Sequence, residues 1–170
     1  NRNMIGAVVG VQPFGGEGLS GTGPKAGGPL SLRRLVRGGP LPLADLPRPA
    51  CSALDELEAW LIGDAVPLNE AARGRLRDHL AAYRRASLAG LALALPGPTG
   101  ETNTLGFYPR GAVLGLADSL EAWLHQLAAV LATGNRLRVL AGQPAEAWLS
   151  MPPPALQARV ERCTDAFAGS

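Results

Sequence analysis

The stretch Ala112–Ala141, AVLGLADSLEAWLHQLAAVLATGNRLRVLA, carries the pattern that decides the fold. It contains a short apolar run, Val113–Ala117, and a second short segment, Arg136–Ala141, and each is predicted to be a strand. Between them, apolar residues recur every three to four positions, which predicts an amphipathic helix. Gly134 is placed to end this helix. A strand, a helix and a second strand in this order predict a parallel α/β unit.

Polar residues and a proline mark the predicted helix starts. Asp118 is predicted to cap the helix of the α/β unit, with Glu121 at the capping-box position. Ser52 is predicted to cap an earlier helix that ends at Gly63, and Pro67 to open the next one. The expected buried faces are Leu54, Leu57 and Leu61 in the first of these two helices and Leu68, Ala72, Leu76, Leu80 and Tyr83 in the second. The arginines off the second face, Arg73, Arg77, Arg84 and Arg85, are expected to be solvated.

The remaining segments are shorter. Met4–Val11 is apolar and β-branched at its centre and predicts a strand, as does Leu91–Leu95. Gly97–Glu101 predicts a hairpin turn, and Pro154–Cys163 predicts a further helix. Gly38–Pro49 holds four prolines and two glycines, which is typical of a linker between domains.

Glycine and proline dominate Pro13–Pro29, PFGGEGLSGTGPKAGGP. Such a run has few bulky side chains to bury, so its useful groups are backbone N–H and C=O. Gly16, Gly18 and Gly21 spell a literal GxGxxG, the fingerprint of a dinucleotide site. Pro24 follows where a helix would have to open, and the motif is therefore not interpreted as a nucleotide site.

The segment Asn1–Leu30, NRNMIGAVVGVQPFGGEGLSGTGPKAGGPL, resembles the C-terminal signature of aldehyde dehydrogenases. More narrowly, it resembles the L-glutamate gamma-semialdehyde dehydrogenase (1-pyrroline-5-carboxylate dehydrogenase) module of the bifunctional proline utilisation A family. Leu91–Asp118, LALALPGPTGETNTLGFYPRGAVLGLAD, resembles the C-terminal domain of the long forms of that family. That domain has an aldehyde-dehydrogenase-like fold and no catalytic role of its own.

The fold class expected from the pattern and the resemblance is α/β, a fragment of an aldehyde dehydrogenase fold followed by a partial Rossmann-like βαβ domain. Residues 1–37 are expected to end the catalytic domain, 38–50 to form a linker, 51–87 a helical connection and 88–170 the partial C-terminal domain. Because Asn1 is not a start methionine, the chain is expected to belong to a longer polypeptide.

The resemblance implies a substrate site in the glycine-rich segment. Gly27 and Gly28 match the family's anchor for the substrate carboxylate and amino group. Two successive backbone N–H groups form a small anion nest, although a tight structural turn is the alternative reading of these glycines. Phe14 resembles the phenylalanine near the nicotinamide, with a core aromatic as the alternative. Lys25 is expected to point to solvent.

No catalytic residue is assigned within the chain. The resemblance requires a cysteine nucleophile and a glutamate base, and these are expected upstream of Asn1. Cys51 and Cys163 do not match the family's nucleophile and are expected to be structural thiols. His79 and His125 lack a partner at ligand spacing, so they are expected to be surface or boundary residues and no metal site is predicted.

The function implied is part of an NAD-dependent L-glutamate gamma-semialdehyde dehydrogenase in a bifunctional enzyme that oxidises proline to glutamate. This chain would supply the substrate-anchor loop and a non-catalytic covering domain, and would be inactive alone. NAD would bind in the upstream region, and FAD in a fused proline dehydrogenase module. The expected partners are glutamate semialdehyde, the rest of the same polypeptide and further copies in a homo-oligomer. Two alternatives stay open, an orphan structural or interaction module and an aldehyde dehydrogenase for another acid semialdehyde.

The bulk composition limits the classes of function and the cellular location that fit this chain. A net charge of +2 without a basic tract does not favour nucleic-acid binding. No apolar run approaches the length of a membrane span. The two distant cysteines fit a reducing compartment, and a cytoplasmic location, with peripheral contact at the inner membrane face left open, is expected.

Overall fold

The computed structural model describes residues 14–15, 25–26, 28, 30–39, 43–63, 65–97 and 99–165. Helices and both parallel and antiparallel strands are present, so the α/β class is confirmed. The chain forms two compact units, Asn1–Pro47 with Leu91–Phe107, and Arg48–Gly90 with Tyr108–Ser170. The elements are a 3₁₀ helix Ser31–Leu35, α1 Ser52–Ile62, α2 Glu70–Ala86, β1 Ala92–Leu95, β2 Asn103–Gly106, β3 Ala112–Gly115, α3 Leu120–Ala132, β4 Arg136–Leu140, a second 3₁₀ helix Pro144–Trp148, α4 Pro154–Gln157 and β5 Val160–Cys163.

The second unit contains the predicted α/β unit. Strands β3, β4 and β5 form one parallel sheet in that order, with Val113 opposite Leu137 and Leu137 opposite Val160. Helix α3 connects β3 to β4, as the sequence pattern predicts. Gly134 follows the helix with a φ of 73°, a conformation that glycine adopts at low cost, and it ends the helix as expected.

The N-cap of α3 lies one residue later than predicted. Ser119, not Asp118, accepts a hydrogen bond from the Ala122 N–H at 3.3 Å. The backbone of Ser119 is extended, so the first free N–H groups of the helix lie within reach of its hydroxyl. Glu121 is not part of a capping box, because its carboxylate pairs with Arg75 of α2.

The chain after Pro154 corrects the prediction of a helix over Pro154–Cys163. Only Pro154–Gln157 is helical, and Val160–Cys163 forms strand β5. The physical reason is tertiary: β4 offers unpaired backbone groups on the side away from β3, and β5 satisfies them in register with Leu137–Leu140.

The start of α1 also differs from the sequence prediction. Ser52 is the first helical residue, and Cys51 is the N-cap without a side-chain hydrogen bond. The carbonyl of Cys51 instead accepts from the N–H groups of Leu54 and Asp55 at 3.0 and 3.3 Å. The predicted face of Leu54, Leu57 and Leu61 is buried, and Gly63 follows the helix end as expected.

Helix α2 begins at Glu70 rather than at Pro67. Asn69 caps it, because its side chain accepts from the Ala72 N–H at 2.9 Å, which proline cannot do. The buried residues of the helix are Ala72, Leu76 and Leu80, as predicted, while Leu68 and Tyr83 are half-buried.

Arg73 corrects the prediction of a solvated arginine face. Its guanidinium donates to the carbonyl groups of Val66 at 2.6 Å, Gly63 at 3.2 Å and Leu68 at 3.3 Å, and also to Leu61. Carbonyl groups at a helix C-terminus lack partners within the helix, so Arg73 closes the end of α1 from the next helix.

One apolar core joins the helices of the second unit to its sheet. Trp123 is fully buried on α3, which lies against α1, α2 and β4. The other fully buried residues of this core are Leu54, Leu57, Leu76, Leu80, Leu124, Leu127, Leu131, Leu137, Leu156, Val66, Val139 and Ala128.

The first unit contains an antiparallel hairpin. Strands β1 and β2 pair with Leu93 opposite Leu105, so the turn predicted over Gly97–Glu101 lies in a hairpin connection. Leu91–Leu95 was predicted as a strand and its residues Ala92–Leu95 form β1. The strand predicted over Met4–Val11 lies outside the described residues.

Candidate functional site

The glycine-rich segment of the first unit is held by a short antiparallel bridge. Phe14 and Ala26 exchange two backbone hydrogen bonds of 2.8 and 3.1 Å. The bridge brings the beginning of the segment next to its end, although eleven residues separate the two in sequence. The bridge therefore places Phe14 beside Ala26, two residues before Gly28, which the resemblance assigns to substrate binding.

Gly28 lies in the turn that follows the bridge. Its N–H donates to the Lys25 carbonyl at 3.2 Å, and its own carbonyl accepts from the Ser31 N–H at 3.0 Å. Ser31 is the first residue of the 3₁₀ helix Ser31–Leu35, so this helix continues directly from the turn. Gly27, the other predicted anchor residue, lies outside the described residues.

The side chains of Phe14 and Lys25 have surroundings that are unusual for an aromatic residue and for an exposed lysine. Phe14 is 66% exposed in this chain, whereas the alternative interpretation was a core aromatic. Lys25 is exposed, yet its Nζ donates to the Gly15 carbonyl at 3.3 Å. Gly15 has a φ of 139°, which a residue with a side chain rarely adopts. The lysine thus contacts the backbone of the segment rather than solvent alone.

Neither thiol has the surroundings of a catalytic nucleophile among the described residues. Cys51 and Cys163 are free and half-buried. Their Sγ atoms contact the carbonyl oxygens of Leu131 and Val139, both at 3.5 Å. A nucleophilic cysteine needs a base or a cation beside it to form the thiolate, and the contacts found here are to neutral carbonyls. The assignment of the nucleophile to another part of the polypeptide stays a prediction.

The two histidines, by contrast, lie together. The rings of His79 on α2 and His125 on α3 stand edge to face with centroids 4.5 Å apart. Sequence reasoning missed this pair because it searched for partners within one helix, whereas the contact forms between two. The sequence did offer one signal of this contact: each histidine stands directly next to a leucine that is buried in the core, Leu80 for His79 and Leu124 for His125.

Charged residues complete this cluster. Arg75 holds Glu121 through two hydrogen bonds of 2.8 and 3.0 Å, and Glu121 Oε1 lies 3.7 Å from His125 Nε2. Burial, and next the nearby His79, lower the pKa of His125. His79 Nδ1 lies 2.7 Å from the Arg75 carbonyl, so that nitrogen carries the proton. Within the described parts of the chain, no group of three or more His, Cys, Asp or Glu residues is arranged to hold a metal ion.

A cavity of about 240 Å³ lies within the second unit, between the start of α1 and the end of α3. Two of its polar side chains are engaged by the protein itself: the Ser87 hydroxyl donates to the Ala132 carbonyl, and the Asn135 amide bonds to Thr133 and Gly111. The cavity contains none of the residues predicted to bind substrate.

Comparison with known proteins shows which proteins this chain is similar to. The chain is 44% identical over 168 residues to a protein of Rhizobium meliloti and 50% identical over 143 residues to one of Escherichia coli K12. The chain matches one segment of bifunctional protein PutA. The match covers 97% of this chain and 13% of the first PutA protein, and 81% and 11% for the second. The predicted resemblance is thereby confirmed, and the chain spans about an eighth of these PutA relatives.

A shorter match concerns a second kind of protein. The 1-pyrroline-5-carboxylate dehydrogenases of Bacillus thuringiensis and Geobacillus thermodenitrificans are 66% identical to this chain over 29 residues. These residues are 17% of this chain and 6% of each dehydrogenase. No protein-family model matches the chain. No helix in the described residues is long and apolar enough to cross a membrane.

Proposed function

We propose that this chain is a segment of an NAD-dependent L-glutamate gamma-semialdehyde dehydrogenase, within a bifunctional enzyme that oxidises proline to glutamate. The observation that carries the proposal is the coincidence of two matches. The chain is similar to PutA over 97% of its length and, over 29 residues, to enzymes named 1-pyrroline-5-carboxylate dehydrogenase. The cytoplasmic location and the homo-oligomer expected from the sequence belong to the same proposal.

The glycine-rich segment supplies the substrate anchor in this proposal. The Gly28 N–H is already directed at an oxygen, the Lys25 carbonyl at 3.2 Å. A substrate carboxylate carries a full negative charge and is a stronger acceptor than a neutral carbonyl. It can therefore share this hydrogen bond with the Lys25 carbonyl, with Gly27 adding the second N–H of the nest. The exposed ring of Phe14 would bound the site beside the aldehyde group.

The second unit acts as a non-catalytic covering domain. Dinucleotide sites use the turn after a parallel strand, where backbone N–H groups meet the pyrophosphate. In this chain the Leu116 N–H donates to Gln126 Oε1 at 3.0 Å, and Ser119 caps α3. A Cβ atom on Gly115 would lie 2.7 Å from the same Gln126 oxygen, so the amide fills the space beside the strand end.

These residues do not fit NAD, and no step of the reaction is assigned to the second unit. We assign NAD, the cysteine nucleophile and the glutamate base to the rest of the dehydrogenase, and FAD to a proline dehydrogenase module. What this chain does in the reaction is to bind and orient the acidic end of the substrate, while its aldehyde group points toward the catalytic residues.

The substrate assignment is tested by comparing aldehydes with the full-length enzyme. We expect NADH formation with glutamate semialdehyde to have a higher kcat/KM than with simple alkyl aldehydes of similar length. The physical reason is that only the semialdehyde carries the carboxylate that the Gly27–Gly28 backbone binds. If alkyl aldehydes are oxidised more efficiently, the assignment is wrong.

A further inference from the structure

Lys25 is joined to both ends of the glycine-rich segment, although it is exposed and was expected to point to solvent. The pairing of Phe14 with Ala26 is antiparallel, so the next residues inward, Gly15 and Lys25, stand opposite each other. The Lys25 side chain crosses this pair, and its ammonium group donates to the Gly15 carbonyl at 3.3 Å. The side chain thus adds a third bond to the two backbone bonds of the bridge.

The backbone carbonyl of Lys25 makes a second contact, toward the C-terminal end of the glycine-rich segment. This carbonyl accepts the Gly28 N–H at 3.2 Å, and the Gly28 carbonyl accepts the Ser31 N–H at 3.0 Å. A continuous series of hydrogen bonds therefore runs from Gly15 through Lys25 and Gly28 to the start of the 3₁₀ helix. Glycine-rich backbone has little intrinsic order, so its conformation depends on bonds of this kind.

We propose that Lys25 is a positioning residue of the substrate anchor: its ammonium group fixes the bridge to Gly15, and its carbonyl fixes the direction of the Gly28 N–H. This inference rests on the proposed function. Lys25 is the single lysine of the chain. An ammonium group is a compact donor that suits one carbonyl oxygen, whereas a guanidinium presents a planar array of donors. Loss of the ammonium group removes the bond to Gly15 and leaves the two backbone bonds of the bridge, so the position of Lys25, and with it the direction of the Gly28 N–H, is held less tightly.

The test uses three variants of the full-length enzyme. Lys25→Met removes the ammonium group and keeps most of the aliphatic stem, and Lys25→Arg restores a positive donor. Arg37→Met is the matched control, because it removes one positive charge from an exposed position of the same unit. The measured quantities are kcat and KM for glutamate semialdehyde, KM for NAD, kcat/KM for a simple alkyl aldehyde, and the thermal unfolding midpoint.

We expect Lys25→Met to raise the KM for glutamate semialdehyde about fivefold, the upper size found for a charged contact at an exposed position. Its kcat, its KM for NAD and its kcat/KM for the alkyl aldehyde should stay within about twofold of wild type. Lys25→Arg should recover part of the loss, and Arg37→Met should match wild type.

The outcomes distinguish a failure of the positioning role of Lys25 from a failure of the proposed function. An unchanged KM in Lys25→Met, or an equal loss with every substrate together with a lower unfolding midpoint, overturns the positioning role and leaves the proposed function intact. A wild-type enzyme that does not oxidise glutamate semialdehyde at all overturns the proposed function, and the positioning role with it.

Discussion

The surroundings of His125 change how readily its imidazole is protonated. Burial, and next the adjacent ring of His79, disfavour its protonated form, while Glu121 favours it and Arg75 disfavours it. The balance lowers the pKa below the ordinary value of 6.5. The folded chain therefore binds fewer protons at this site than the unfolded chain in the pH range just below 6.5.

This pKa predicts the sign of a pH dependence. The free energy of unfolding rises with pH wherever the unfolded state binds more protons, so the His125 contribution is lost as the pH falls below 6.5. We expect His125→Gln to remove this part of the slope. The measurement is urea unfolding of the 170-residue chain at several values between pH 5 and 7.5, with wild type in parallel, because carboxylates contribute equally to both. Identical slopes for the two proteins would contradict the assignment.

Helices α1 and α2 depend on each other through Arg73. Its guanidinium serves carbonyl groups between Leu61 and Leu68, and these belong to the end of one helix and to the connection that follows. Removal of the guanidinium leaves part-buried carbonyl oxygens without their donor, which costs more than the loss of an exposed contact.

The corresponding prediction compares two arginines of the same helix. Arg73→Met should lower the free energy of unfolding by about 2 kcal/mol, because several carbonyl groups lose a charged donor. Arg77→Met is the control: its pair with Glu70 is 3.6 Å long and exposed, and such pairs are worth about 0.5 kcal/mol or less. Chemical denaturation of both variants measures their free energies of unfolding. Equal decreases in the two variants would mean that Arg73 has no special role.

At the scale of elements, the sequence predicted the features that depend on the local pattern of apolar and polar residues. The buried faces of α1 and α2 follow from the spacing of their leucines, and β3, α3 and β4 follow from two short strand-like segments on either side of a helical stripe. The helix starts at Ser52, Pro67 and Asp118 were wrong by one to three residues. Neighbouring polar residues or backbone groups cap these helices equally well, so local pattern does not choose between them.

Features that depend on distant residues were not predictable from the same pattern. Strand β5 forms because the edge of β4 needs a partner, and the pairing of His79 with His125 requires α2 and α3 to pack. The role of Arg73 likewise appears only once the end of α1 is near. The Lys25 contact was missed because it depends on the bridge between Phe14 and Ala26.

At the scale of the whole molecule, the two units have different parts in the proposed enzyme. The first unit carries the glycine-rich anchor, and the second carries a parallel sheet whose strand ends are closed by the protein's own side chains. The substrate site is proposed from the resemblance to a family, whereas the physics of the residues alone indicated only a backbone-lined loop. The PutA relatives are about eight times as long as the matched segment, so the activity is proposed for a longer polypeptide.

The most direct test of this account is the size and activity of the native polypeptide, detected in cell extract with an antibody raised against this chain. We expect a band several times larger than a 170-residue protein, and we expect it to copurify with proline-dependent NADH formation. A band at the size of 170 residues, without such activity in the same fractions, would contradict the proposed enzyme and favour a separate structural module.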